Sequence, residues 1–142
     1  MEFIYDDGGR SKYFKGQNVR DCVARAISIA TESDYKEIYD KINEYAKSEH
    51  IGKRKRGISN ARNGVYTRTV RKLMSDLGWV WHPTMQIGSG CKVHMKKSEL
   101  PGGRIVASMS KHYACVIDGV LHDTYDCTRN ETRCVYGYFS KG

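Results

Sequence analysis

No stretch of about 18 apolar residues runs anywhere along the 142-residue chain, which excludes a membrane-spanning helix. The first ten residues, MEFIYDDGGR, lack a basic region followed by an apolar one, so no export signal is read there and a cytoplasmic protein is expected. Paired C-x2-C modules are missing, which leaves structural zinc with little support, and neither a phosphate-binding P-loop nor a dinucleotide fingerprint occurs. Internal repeats and linker-like segments are also missing, so residues 1–142 read as one domain. No cofactor and no metal are called for.

The five cysteines (22, 91, 115, 127 and 134) form an odd set at irregular spacings, which favours reduced thiols over a disulfide framework. Cys91 and His94 have a ligand-like spacing to which Cys127 and Cys134 could add, but the pattern is incomplete. The charge is uneven. Between Lys47 and Lys72 nine basic residues face one acid, Glu49, so this window carries the whole net charge of +8. Such a block suits an anion, whether nucleotide, nucleic acid or acidic protein; its plain alternative is a solvated loop.

Three helices are predicted first. Residues 21–30 have Asp21 as a candidate N-cap and an apolar face of Cys22, Val23, Ala26, Ile27 and Ile29–Ala30. Ser33 or Asp34 caps a second helix with apolar residues from Tyr35 to Ala46, whose tyrosines read as core packing. Residues 50–65, glycine-rich and basic without periodicity, form a long loop. A third helix covers about 66–77 and ends at Gly78. Beyond it come short β-branched and aromatic runs, with Asp118–Gly119 the strongest hairpin signal. Helices followed by an antiparallel sheet give an α+β class.

Cys22 stands at the start of the first helix, where unpaired N–H groups and the positive end of the helix dipole favour a nucleophilic thiolate. Its plain alternative is a small buried hydrophobe. A nucleophilic thiol needs a base held by a third group. With a tight turn at Asp118–Gly119, residues whose numbers sum to 237 face one another, making His112 and Asp123 diagonal neighbours. Tyr125 pairs opposite His112, Asp126 is the reserve carboxylate, and His122 faces away. Gln17 or Asn18, just before Cys22, offers an amide for an oxyanion.

The segments NVRDCVARAISIATESDYKEIYDKI and SKHYACVIDGVLHDTYD, with GKRKRGISNARNGVY and PTMQIGSGCKVH between them, resemble a family of small bacteriophage and prophage proteins over nearly the whole chain. That family is similar to papain-like cysteine peptidases. The resemblance implies a papain-like fold in which Gln17 (or Asn18), Cys22, His112 and Asp123 take the oxyanion, nucleophile, base and orienting roles. Transglutaminase-like acyl transferases share this order. It implies a thiol hydrolase acting on a host or phage protein in the host cytoplasm. The alternative is a non-catalytic counter-defence binder that captures a nucleotide, nucleic acid or acidic host protein through Lys53, Arg54, Lys55, Arg56 and Arg62.

Overall fold

The computed structural model describes residues 1–16, 19–50 and 57–142. The helices form where the apolar spacing places them: α1 Cys22–Thr31, α2 Tyr35–Ala46 and α3 Thr67–Asp76. Asp34 caps α2 by accepting a hydrogen bond from the Glu37 N–H at 3.3 Å. Asp21 occupies the N-cap position of α1, yet its side chain does not cap. Its carboxylate is engaged by Arg10, Arg25 and Tyr35 instead.

Six strands make one sheet: β1 Phe3–Tyr5, β2 Trp79–Pro83, β3 Arg104–Met109, β4 His112–Ile117, β5 Val120–Asp123 and β6 Gly137–Lys141, in the order β1-β5-β4-β3-β6-β2. The mixed α+β class is as expected, but two particulars differ. A strand precedes the helices, and it runs parallel to β5, with Phe3 opposite Leu121 and Tyr5 opposite Asp123. The sheet is therefore mixed, not wholly antiparallel. Three residues are too few for alternation to mark a strand.

The β4–β5 hairpin has the expected register, Cys115 opposite His122 and Val116 opposite Leu121. Its turn puts Asp118 at φ +49° and Gly119 at +78°, and a Cβ on Gly119 would lie 2.3 Å from the Lys97 side chain.

Alternation along the central strands divides the core. Val106, Tyr113 and Cys115 face α1, α2 and α3, packing with Val23, Ile27, Ile38 and Leu73. Ile105, Ala107, Ala114, Val116 and Leu121 face the opposite way, where Met95, Leu100, Cys127 and Val135 from loop segments cover them.

A disulfide between Cys91 and Cys134 joins two of those loop segments, with 5.8 Å between their Cα atoms. This corrects the expectation of uniformly reduced thiols and removes Cys91 and Cys134 from any metal set. Their pairing depends on residues 43 apart in sequence, which spacing alone does not bring together. His94 instead faces Glu99, Nδ1 to Oε1 3.1 Å.

Candidate active site

Cys22, first residue of α1, and His112, first residue of β4, both line a cleft of about 740 Å³. Packing of α1 along β4 brings these two element ends together. Cys22 is partly exposed, whereas the two remaining free thiols, Cys115 and Cys127, are buried. Burial also pushes the Cys115 thiol well up.

His112 is 5 % exposed and Asp123 3 %. The His112 Nε2–H donates to Asp123 Oδ2 at 2.6 Å, leaving Nδ1 as the other ring nitrogen, 3.5 Å from the Tyr125 hydroxyl. The Tyr125 ring tilts over the imidazole with centroids 5.3 Å apart. Burial opposes charge on His112, but the hydrogen bond to Asp123, side-chain hydrogen bonding to Cys127 and Cys22, and the charge on Cys22 outweigh it and raise the His112 pKa well above 6.5. Asp123 moves the other way. Burial would raise it, yet His112, the Thr124 N–H and Arg25 hold it below the ordinary carboxylate value.

Arg25 was not singled out in the sequence. One turn along α1 from Cys22, it is 6 % exposed and bridges two carboxylates. Its Nη1 donates to Asp21 Oδ1, and its Nη2 lies 3.3 Å from Asp123 Oδ1, which also accepts from the Thr124 N–H at 2.7 Å. Asp21, 1 % exposed, further accepts from the Tyr35 hydroxyl at 2.6 Å and lies 3.6 Å from Arg10 Nε. A buried chain of alternating charge thus runs from Arg10 through Asp21, Arg25 and Asp123 to His112. It ties the helix bearing the thiol to the strand bearing the carboxylate. Gly8, at φ +69°, lets the N-terminal loop close onto α1: a Cβ there would meet the Arg25 carbonyl at 3.1 Å. A run such as RDCVAR offers Arg25 as an i,i+4 partner for Asp21, and this was the available signal.

Cys127 is the second residue not foreseen at the site. Its sulfur and the ligand atoms of His112 and Asp123 lie within 4.8 Å of one another. The donor set would suit zinc, but the Arg25 guanidinium already neutralises Asp123 and a dication would meet it directly. The cluster reads instead as a buried thiol beside the His112–Asp123 pair.

Among the other sequence candidates, His122 points away from His112 and faces Asp6, Nδ1 to Oδ2 3.5 Å. The Asp126 carboxylate accepts from the Thr128 N–H and hydroxyl at 2.9 and 2.7 Å, so it is committed to its own turn. Arg62 is exposed, and its carbonyl accepts from the Arg20 N–H at 2.9 Å. Gln17, Asn18 and Lys53, Arg54, Lys55 and Arg56 lie outside the described residues.

No family model, no curated protein and no solved structure matches this chain. Among the described residues, no helix is long and apolar enough to cross a membrane.

Proposed function

We propose that the protein is a papain-like thiol hydrolase of bacteriophage type, acting on a carbonyl substrate. The observation that carries this reading is the His112–Asp123 pair at 2.6 Å, set in the same cleft as a partly exposed thiol at a helix start. A base oriented by a carboxylate, beside an accessible nucleophile, is the arrangement that covalent acyl chemistry needs.

The Cys22 sulfur attacks the carbonyl carbon; a C–S bond forms and the carbonyl π electrons move to oxygen. The Cys22 backbone N–H, in the first turn of α1, stabilises that oxyanion in this reading, and the resemblance assigns the second donor to the Gln17 (or Asn18) amide. Protonated His112 then gives its proton to the leaving amine as the C–N bond breaks, and a thioester remains. Water, deprotonated by His112, attacks the thioester and returns the thiolate as the acid departs. Asp123 holds the imidazole tautomer throughout, and Arg25 holds Asp123. A nucleophilic amine in place of water would make the same site a transferase.

The test is an acyl-enzyme. An activated ester such as p-nitrophenyl acetate should release a burst of nitrophenol equal to the enzyme present and leave an acetyl mass on Cys22. Cys22→Ser should give neither. Slow acetylation spread over the lysines, with no burst, would contradict the reading. The second reading, capture of an anionic partner through Arg62 and the basic segment, is favoured by exposed Arg62, whose carbonyl accepts from the N–H of the cleft residue Arg20.

A further inference from the structure

On and beside α2 surface cations are paired: Lys36 meets Asp40, Lys41 meets Glu37 at 3.9 Å, and Lys47 meets Glu44 at 3.1 Å. The cleft is different. Among the described residues lining it are Arg20, Arg25 and Lys111 but no aspartate or glutamate. Arg25 is consumed by Asp21 and Asp123. Arg20 and Lys111 are exposed, and among the described residues neither meets a carboxylate within ion-pair range.

Their placement follows from the chain. Arg20 stands two residues before Cys22 on the wall built from residues 19–25 and 63–67. Lys111 directly precedes His112 in the part of the lining made by residues 108–113, to which Tyr125 and Tyr136 add. The two cations are thus near sequence neighbours of the nucleophile and of the base, and both line the same cleft. Lys111 sits at φ +55° in the two-residue turn joining β3 to β4. That turn is braced from below by buried Arg133, whose Nη2 donates to the Ser110 carbonyl at 2.6 Å and Nη1 to the Cys127 carbonyl at 3.5 Å. The constrained backbone fixes where the Lys111 side chain leaves the turn.

We propose that the cleft accepts an acidic polypeptide segment, with carboxylate side chains on either side of the reacting carbonyl meeting Arg20 and Lys111. This rests on the thiol-hydrolase reading: Cys22 needs an acyl carbon, which a peptide or isopeptide bond supplies and a phosphodiester does not. The half-exposed rings of Tyr125 and Tyr136 give such a segment apolar surface between the charges. A cleft of about 740 Å³ is large enough for several residues.

Three peptides of equal length carrying a thiol-trapping acyloxymethyl ketone, flanked by Glu, Gln or Lys, separate the outcomes. Intact-mass kinetics should label Cys22 fastest with Glu and slowest with Lys, about tenfold apart at low salt, and the order should collapse at high salt. Arg20→Glu with Lys111→Glu should reverse the order when each rate is normalised to the Gln probe. In parallel, warhead-free Glu and Lys peptides are titrated against Cys22→Ala by fluorescence anisotropy, with a single-stranded oligonucleotide as competitor. Equal rates and equal binding for the three flanks overturn the proposal, as does an oligonucleotide that binds more tightly than the Glu peptide. If the Glu peptide binds through Arg20 and Lys111 while no probe labels Cys22, the acidic partner stands and the hydrolase reading falls.

Discussion

Arg25 Nη2 lies 3.3 Å from Asp123 Oδ1 while Nη1 of the same guanidinium holds Asp21, joining residues 98 apart in sequence in one buried contact. Removing the cation leaves two buried carboxylates facing each other's field. Arg25→Met should therefore cost about 3–5 kcal/mol in urea unfolding. Arg25→Lys keeps the charge but not the fork that reaches both partners, so it should recover only part of that loss. A loss below about 1 kcal/mol for Arg25→Met would mean that the bridge contributes little.

Asp123→Asn should act on chemistry and on folding together. An amide keeps the volume but favours the wrong imidazole tautomer, so Cys22 alkylation should slow at least about tenfold. Arg25 also loses one of its two anions, so the midpoint of thermal unfolding should fall. Asp126→Asn should leave the alkylation rate unchanged, because Asp126 is tied to Thr128 and not to His112.

His112 gives a pH signature. Its pKa is raised on folding, so the folded protein keeps a proton that the unfolded chain releases above about 6.5. This stabilisation is complete below that pH and is lost as pH rises toward the folded value. The thermal midpoint should fall more steeply with pH above neutrality in the wild type than in His112→Gln. Asp123, with a lowered pKa, contributes the opposite limb: its stabilisation is present above 3.8 and lost as pH falls through the folded value. Histidine Cε1–H NMR should show one imidazole still protonated at pH 8, and that resonance should titrate normally in Asp123→Asn.

The Cys91–Cys134 disulfide closes a loop spanning 43 positions, so its removal by Cys91→Ser with Cys134→Ser should cost about 2–4 kcal/mol. Neither cysteine lines the cleft, so Cys22 alkylation below the unfolding transition should persist. Free thiols at both positions in unreduced protein, by mass spectrometry after denaturing alkylation, would contradict the pairing.

Much of the site was legible because its signals are local. The helix start at Cys22 and the Asp118–Gly119 turn are written in a few adjacent residues, and the turn alone fixes the register that makes His112 and Asp123 diagonal neighbours. What escaped the sequence depends on distant partners. Asp21 has the residue type of an N-cap, and only the approach of Arg10 and Tyr35 turns its carboxylate inward. Strand β6 lies between β3 and β2 because of tertiary packing that no alternation pattern encodes. Cys127 lies near His112 only once the loop before β6 folds under the sheet.

Competitive alkylation tests the central claim most directly: Cys22 and His112 work as a nucleophile and its base. Folded, unreduced protein is treated with limiting iodoacetamide near neutral pH, and each cysteine peptide is quantified by mass spectrometry. The account predicts that Cys22 is modified first, ahead of Cys115 and Cys127, and that His112→Ala abolishes this lead while the protein stays folded by circular dichroism. Preferential modification of Cys127, or an undiminished Cys22 rate in folded His112→Ala, would contradict it.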